Sequence, residues 1–421
     1  MIIHLDLDCF FVSAHRIDNP AYANIPLAVG GRSNLAIFDR KKSVKKISEI
    51  SGAFTSSLLS SHGNKTFEEY FVDKDGRVRG IITTSSYEAR AYGVRTAMST
   101  AEALRYCPTL KILPPNYPLY HSLSYKLKLL LEKELPSIEQ FSIDEFFGDV
   151  SGWVKDEDVV VFANKLKKKI QDELGLPISI GIAKTKWIAK LCTNHAKPFG
   201  VKRIMPQEVN EFIKDIPIKE FPGIGSGYEE KLKKYYIKTL GDIREKKELF
   251  YSWGKSGKQL YDRICGIDYE KITYKKSSKS IGLGRTFEPI MDRDEAKRRI
   301  TILSRHLSFL ALKDRHEPMS FALKISYQYG EKEKGNIRAN RIFNEQYFKQ
   351  EMIKLFNSSD THPQYSITQL VITLSNFKEN NLATMDIFNY QEDQIQCNIT
   401  TSLQKLRAKY GVDIIKTGGE L

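Results

Sequence analysis

The sequence predicts an α+β protein built from several domains. Residues 2–8 alternate between apolar and polar side chains as a β-strand does, whereas residues 159–174 carry the apolar spacing of an amphipathic helix. Nearer the C-terminus, four predicted strands alternate with two predicted helices in the order βαββαβ. A chain of 421 residues has room for two to four domains, each with its own core.

Charge and composition restrict the class of partner. The 65 Lys and Arg residues exceed the 51 Asp and Glu residues and give a net charge of +14, which favours a polyanion or an anionic membrane surface. No apolar run is long enough to span a bilayer. Five widely separated cysteines without CxxC spacing predict neither disulfides nor a zinc site. We therefore expect a soluble, cytoplasmic protein with reduced thiols.

The first strand contains the first acidic pair. Alternation places Ile3, Leu5 and Leu7 on one face, which we predict to be core. The opposite face carries His4, Asp6 and Asp8 and is expected to be acidic.

The second acidic pair, Asp144 and Glu145, lies between apolar flanks in the segment SIDEFF, which we predict to be a strand that ends in a tight turn. Apolar flanks direct the pair towards an interior or a cleft, where carboxylates need a cation. If this strand lies beside the first, Asp6, Asp144 and Glu145 converge and form an oxygen-rich environment suited to two Mg²⁺ ions. Taken alone, each pair also fits a solvated strand end or turn.

Two further segments predict contacts with phosphate. After an insertion at residues 32–80, predicted to be a partly helical surface segment, a strand at 81–84 leads into a helix whose start carries Thr84, Ser85, Tyr87 and Arg90. Ordinary helix capping with a surface arginine is the alternative. A strand at 178–183 precedes a helix predicted at 184–195, and the Pro and Gly that end this helix hold Lys197 in place.

Five motifs in order resemble the Y-family DNA polymerases, in particular their bacterial DinB-like and UmuC-like members. They are DLDCFF at residues 6–11, SYEAR at 86–90, SIDE at 142–145, SIGIA at 179–183 and AKPFG at 196–200. The resemblance extends over nearly the whole chain apart from the insertion.

The resemblance implies a template-directed, low-fidelity polymerase that carries synthesis past damaged template bases. It assigns Asp6, Asp144, Glu145 and the backbone carbonyl of Leu7 to two Mg²⁺ ions, for which Mn²⁺ can substitute. The residues that it assigns to the incoming nucleotide are Phe10, Phe11, Thr84, Tyr87, Arg90 and Lys197. Phe11 is the steric gate that excludes a 2′-hydroxyl, and Asp8 and Glu88 match the pattern without a ligand role.

The resemblance also implies a right-hand architecture. Residues 1–10 and 116–204 form the palm, 11–115 the fingers including the insertion, and 205–267 a helix-hairpin-helix thumb. A linker at 268–279 leads to a βαββαβ little finger at 280–378 and a tail at 379–421. A plain helical hairpin is the alternative for the thumb motif, in which Tyr236 stands where glycine is usual.

DNA and a sliding clamp are the macromolecular partners that we expect. The DNA-binding candidates are Gly223, Gly225, Lys276, Lys279, Arg285 and Lys324. In the tail, Met385, Ile387 and Phe388 resemble a clamp-binding peptide without its customary glutamine, and a plain hydrophobic loop is the alternative.

Two other functional classes share some of these features. An inactive DNA-binding adaptor of the same fold has no need of the acids at positions 6, 144 and 145, which are all present. A nucleotide cyclase with a related palm has no use for a helix-hairpin-helix, a tether or a little finger.

Overall fold

A computed structural model describes residues 1–39, 65–73, 75–268, 270–274, 278–378 and 388–421. The chain divides into two compact units. The first comprises Met1–Gly30 and Ile81–Lys276, and the second comprises Gly31–Gly80 and Ser277–Leu421. Part of the predicted insertion therefore groups with the C-terminal part of the chain.

The strands and helices of the described residues follow one another along the whole chain. The strands are β1 Ile2–Leu7, β2 Leu27–Gly31, β3 Ile81–Ser85, β4 Lys111–Leu113, β5 Ile138–Gln140, β6 Glu145–Asp149, β7 Ile178–Ala183, β8 Val201–Arg203, β9 Ser280–Ile290, β10 Pro318–Tyr327, β11 Lys332–Arg338 and β12 Ile367–Phe377. The α-helices are α1 Phe10–Asp18, α2 Phe67–Phe71, α3 Tyr87–Ala91, α4 Thr100–Tyr106, α5 Tyr117–Glu134, α6 Val159–Leu174, α7 Lys186–Asn194, α8 Val209–Ile213, α9 Ser226–Lys233, α10 Leu240–Arg244, α11 Lys247–Ser252, α12 Gly254–Ile264, α13 Arg293–Lys313, α14 Glu345–Ser359 and α15 Tyr390–Tyr410.

The main sheet of the first unit has the strand order β5-β6-β1-β7-β8. Strand β1 lies at its centre and is antiparallel to both β6 and β7. The apolar face of β1 enters a core formed with α5 and α6, as the alternation predicts.

The opposite face of β1 carries His4, Asp6 and Asp8 as predicted, and all three side chains are buried. His4 is fully buried, its Nδ1 lies 2.8 Å from Oγ1 of Thr193 on α7, and its ring lies 4.5 Å from that of Phe147. Helix α7 packs on this face, so Asp6 and Asp8 lie at the buried end of a covered strand.

The order of strand and turn around Asp144 differs from the prediction. A turn at residues 141–144 comes first, closed by the backbone N–H groups of Phe141 and Ser142 donating to the carbonyl of Glu145. Strand β6 begins only at Glu145. The apolar pair Phe146 and Phe147 is buried within the strand. The hydrophobic run therefore belongs to the strand that follows the acids and not to a strand that precedes them.

The remainder of the first unit comprises a small sheet and a helical region. The small sheet has the order β3-β2-β4, in which β2 and β4 are parallel. Residues from α7 to α12 share a separate core. Between α9 and α10, Tyr236 adopts φ 57° and is 88% exposed, so a tyrosine occupies a left-handed position that favours glycine.

The second unit contains the predicted βαββαβ order, and the α+β class is confirmed. Its antiparallel sheet has the order β11-β10-β12-β9, and α13 and α14 pack on one face. Ile37 and Phe38, from the start of the predicted insertion, are buried in this same core. Residues 40–64, Lys276, Met385 and Ile387 lie outside the described residues.

Within the described ranges, every helix is too short or too polar to cross a lipid bilayer.

Candidate active site

The three predicted acids meet at one end of the main sheet. Asp6 in β1 and Glu145 in β6 are directly paired across the two strands, which directs their side chains to the same face. Asp144 lies in the adjoining turn, where its carbonyl accepts a 3.0 Å hydrogen bond from the backbone N–H of Leu7. Asp6, Leu7, Asp144 and Glu145 therefore share one corner of the sheet.

Ser142 orders the turn that carries two of the acids. Its hydroxyl oxygen accepts from the backbone N–H of Asp144 at 3.3 Å and from that of Glu145 at 3.1 Å. The same hydroxyl donates to Oδ1 of Asp144. The serine of the SIDE motif thus fixes the backbone and one carboxylate together.

Two lysines balance the acidic corner. Nζ of Lys197 donates to Oδ1 of Asp6 at 2.7 Å, and Lys190 of α7 forms an ion pair with Glu145. The ammonium group of Lys190 also lies 5.1 Å from the centre of the Phe141 ring. Both cations reach the site from the segment that begins with α7.

Burial and mutual repulsion raise the pKa of two acids. Burial is the main cause for Asp6 and, with the charges of Glu145 and Asp144, outweighs the lowering effect of Lys197, so the pKa of Asp6 rises to about 7. Burial likewise raises the pKa of Asp144, and Glu145 adds to the rise while the Ser142 hydroxyl opposes it. Both carboxyl groups are therefore harder to ionise than an exposed aspartate.

The residues of this corner fit a hard divalent cation. All the donor atoms are oxygens, which are the ligands that Mg²⁺ prefers, and a cation bound there would favour the ionised form of the buried Asp6. No three His, Cys, Asp or Glu side chains are grouped around a common ion position in the described part of the chain. Instead, Asp6 and Glu145 are each paired with a lysine, and these lysines would have to release them to an ion.

Asp8 connects the segments that carry the predicted phosphate contacts. Its carboxylate accepts from the Tyr87 hydroxyl at 3.0 Å, the Ser179 hydroxyl at 2.9 Å and the backbone N–H of Phe199 at 2.7 Å. Arg90 lies beside Tyr87, with its Cζ atom 5.0 Å from the ring centre. The structure therefore brings Tyr87, Arg90 and Lys197 into one neighbourhood.

The remaining nucleotide-binding candidates differ in exposure. Phe10 is 2% exposed and belongs to the core, whereas Phe11 is partly exposed at the start of α1. Thr84 is half-buried in β3, one residue before Ser85, whose carbonyl accepts from Nε of Arg90 at 3.1 Å.

The DNA-binding candidates lie in both units. In the first, Gly223 has φ +100°, and apart from their own chain neighbours neither Gly223 nor Gly225 has a heavy atom within 4 Å of the position where a Cβ would lie. In the second, Lys279 is exposed and Lys324 projects from the face of β10 opposite the helices. Arg285 donates to the carbonyls of Asn34 and Gly284 at 3.0 and 2.8 Å.

Sequence reasoning gave no role to three residues that shape this site. They are Asp8, Ser142 and Lys190. Nothing in the sequence marks Lys190, because a lysine on a helix usually lies on the solvated face.

Comparison with known proteins identifies the family. Residues 5–194 match the impB/mucB/samB family, and residues 206–235 match the IMS family HHH motif. DNA polymerase IV of Vibrio parahaemolyticus is 32% identical over 289 residues, covering 68% of this chain and 70% of the relative. DNA polymerase IV of Yersinia pestis is 31% identical over 331 residues, covering 78% and 80%.

The chain belongs to the Y family of DNA polymerases. A solved Y-family chimera of Dbh and Dpo4 has a TM-score of 0.71 at 23% identity, covering 90% of this chain and 99% of the chimera. DinB from Sulfolobus solfataricus gives a TM-score of 0.53 at 22% identity, covering 90% and 99%. These two structures show that the fold is shared.

Membership establishes the activity in general terms. This Y-family member is a DNA-directed DNA polymerase of the translesion type, and nothing supports the adaptor hypothesis. Polymerases of this family use divalent metal ions.

Proposed function

We propose that this polymerase joins a deoxynucleotide to a primer by two-metal-ion nucleotidyl transfer at the corner formed by Asp6, Asp144 and Glu145. The observation that carries the proposal is the direct pairing of Asp6 with Glu145 across β1 and β6, with Asp144 in the adjoining turn. Three carboxylates in such proximity, two of them paired with lysines, form a site whose charge balance changes when a cation enters.

The carboxylates and the Leu7 carbonyl would hold two Mg²⁺ ions. When bound, the ions supply charge neutralisation at the attacking 3′-hydroxyl and at the leaving pyrophosphate. The protein itself holds the acids in place: the β1–β6 pairing positions Asp6 and Glu145, and Ser142 positions Asp144. Lys190 and Lys197 form ion pairs with Glu145 and Asp6, and the ions would replace these contacts.

The incoming triphosphate is proposed to bind Tyr87, Arg90 and Lys197, with Thr84 at the edge of the same region. Support comes from the Asp8 hydrogen bonds, which connect Tyr87 to the loop that contains Lys197. Lys197 is suited to two tasks, because an ammonium group released from Asp6 can then bind phosphate. Phe11 is proposed as the steric gate against ribonucleotides.

Primer-template DNA is proposed to bind both units. Gly223 and Gly225 leave open space for a phosphate to approach the backbone, and Lys279 and Lys324 add positive charge on the second unit. The solved structures include an insertion ternary complex of Dbh DNA polymerase, which supports this assignment to DNA and nucleotide. Lys276 and Arg285 remain candidates from the sequence.

A titration of Mg²⁺ against single-nucleotide incorporation tests the two-metal proposal. We expect Asp6→Asn and Glu145→Gln to lower the rate on the order of 10²- to 10³-fold, a loss typical of a removed electrostatic contact in an active site. Asp149→Asn is the matched control, because Asp149 lies at the opposite end of the same strand and pairs with Ile2. Wild-type rates in Glu145→Gln, or activity that survives chelation, would contradict the proposal.

A sliding clamp is proposed to bind residues 382–388 through Met385, Ile387 and Phe388. Of these three, the structure describes Phe388 alone, and its side chain is 97% exposed. Deleting residues 382–388 is expected to leave basal synthesis intact and to abolish stimulation by the clamp. Retained stimulation would place the clamp site elsewhere.

A further inference from the structure

The ring proposed as the steric gate lies against a second aromatic ring. Phe11 stacks on Tyr120 of α5, with ring centres 4.1 Å apart and planes within 8° of parallel. Tyr117 contacts the same phenylalanine edge-on, at 6.3 Å between centres. Tyr120 is fully buried, so the face of Phe11 that it covers has no room behind it.

Tyr120 is itself held by a residue from the gate's own helix. Nε2 of His15 lies 2.8 Å from the Tyr120 hydroxyl, and His15 follows Phe11 by four residues, about one turn of α1. Burial lowers the pKa of His15, so the imidazole is neutral at pH 7 and can accept the phenolic proton through one ring nitrogen. Tyr120 of α5 is therefore in contact with two residues of α1, Phe11 through its ring and His15 through its hydroxyl.

A steric gate excludes a 2′-hydroxyl only to the extent that its ring cannot move away. The energy of the clash cannot exceed the energy of displacing the ring, because the ring moves when displacement costs less than compression. A ring backed by a buried, hydrogen-bonded tyrosine is costly to displace, whereas a ring backed by a flexible aliphatic chain is not.

We propose that Tyr120, held in place by His15, is the positioning residue that keeps the Phe11 gate rigid and thereby sets discrimination against ribonucleotides. The proposal rests on the proposed role of Phe11. It assigns to Tyr120 no contact with the nucleotide, so its effect is on selectivity for the sugar more than on turnover.

The test compares incorporation of CTP and dCTP opposite a template guanine, with the ratio of the two kcat/KM values as the readout. Loss of folding or of catalytic alignment lowers both values together and leaves the ratio unchanged. Tyr120→Leu is expected to weaken discrimination by about 10-fold, the size of one aromatic stacking contact, mainly by raising kcat/KM for the ribonucleotide. Tyr120→Phe keeps the stacked ring but loses the hydrogen bond to His15, so it is expected to weaken discrimination less than Tyr120→Leu does, by about 3-fold.

Two further variants make every outcome decisive. Phe11→Ala should abolish most of the discrimination; if it does not, Phe11 is not the gate and the role of Tyr120 fails with it. If Phe11→Ala does so while Tyr120→Leu leaves the ratio at its wild-type value, the gate stands and the inference about Tyr120 is wrong. Should Tyr120→Leu not fold, His15→Leu decides, because it leaves the buried hydroxyl without its acceptor and should weaken discrimination by about 3-fold.

Discussion

At the scale of single residues, Asp8 is important because its carboxylate connects separate segments of the chain. It is 3% exposed, and its carboxylate accepts hydrogen bonds from the side chains of Tyr87 and Ser179 and the backbone of Phe199. These groups come from three separate segments of the first unit. Loss of this acceptor would remove the connection between the Lys197 loop and α3, while the hydrogen bond from the backbone N–H of Ile180 to the carbonyl of Gly200 still joins the loop to β7.

Asp8→Asn is therefore expected to lower both stability and nucleotide affinity. The amide retains the shape but replaces one acceptor oxygen by a donor, which leaves one buried group facing another donor at a cost of about 1–3 kcal/mol. We expect a lower urea midpoint and a raised KM for the deoxynucleotide, since Phe199 no longer anchors the neighbouring Lys197.

The control for this variant is Asp18→Asn at the exposed end of α1, which makes the same chemical change where no buried acceptor is lost. It should behave as wild type. An Asp8→Asn protein with unchanged midpoint and unchanged KM would show that the three hydrogen bonds do not position the loop.

The limits of prediction are also visible at this scale. Asp6, Asp144 and Glu145 could be singled out because strand alternation and motif order both mark them. The connecting role of Asp8 could not, because its partners lie 79, 171 and 191 residues away and only the folded chain brings them together. Lys190 had the same disadvantage, since a lysine on a helix is usually solvated.

At the scale of elements, the sheet of the second unit has one covered face and one open face. The open face carries Lys324 of β10 directly opposite Lys334 of β11, with Lys332 nearby on the same strand. Like charges opposite each other on neighbouring strands repel. An anionic partner would relieve this repulsion, which favours this face as a phosphate-binding surface.

Replacing Lys324, Lys332 and Lys334 by alanine is expected to weaken binding to primed DNA of any sequence. Each phosphate contact that is lost should make the slope of log affinity against log salt less steep by about 0.9. Fluorescence anisotropy at several salt concentrations measures this slope. Lys297→Ala, on the helix side of the same unit, is the control and should leave the slope unchanged.

An unchanged slope in the triple variant would exclude the open face as the DNA contact. The elements of this face were predictable, because the large apolar residues Phe321, Leu323 and Ile325 of β10 alternate with small or polar ones and are buried in the core of the unit. The order of turn and strand at residues 141–149 was not predictable. An apolar run such as Phe146 and Phe147 fits a strand that comes before a turn as well as a strand that follows one. Tertiary packing decides such cases.

At the scale of the whole molecule, the second unit is assembled from two separate parts of the chain. Ile37 and Phe38 are 5% and 6% exposed in its core, and Arg299 of α13 contacts the rings of both Phe38 and Phe287. Polar contacts support the same docking: Nε of Arg285 donates to the Asn34 carbonyl at 3.0 Å. Residues 31–39 are therefore an integral part of this unit.

Cutting the linker should consequently not release the second unit. With a protease site inserted between the exposed residues Ser278 and Lys279, the fragments 1–278 and 279–421 are expected to co-elute after cleavage in size-exclusion chromatography. The double variant Ile37→Ala and Phe38→Ala should weaken this association, because each truncation of a buried side chain costs about 2–5 kcal/mol.

Ile17→Ala, which truncates an exposed side chain of the first unit, is the matched control and should leave co-elution intact. Immediate separation of the unmodified fragments would show that residues 31–39 do not hold the unit. The sequence could not predict this docking, since Phe38 and Phe287 meet only through a contact that joins positions 249 residues apart.

The most direct test of the central claim is primer extension by the purified chain with Mg²⁺ and four deoxynucleotides, on an undamaged template and on one with an abasic site. Asp144→Ala serves as the inactive reference. We predict extension on both templates by the wild type, with synthesis past the abasic site, and none by the variant. Extension by Asp144→Ala, or a wild type that copies undamaged DNA but always stops before the abasic site, would contradict a translesion polymerase acting through this acidic corner.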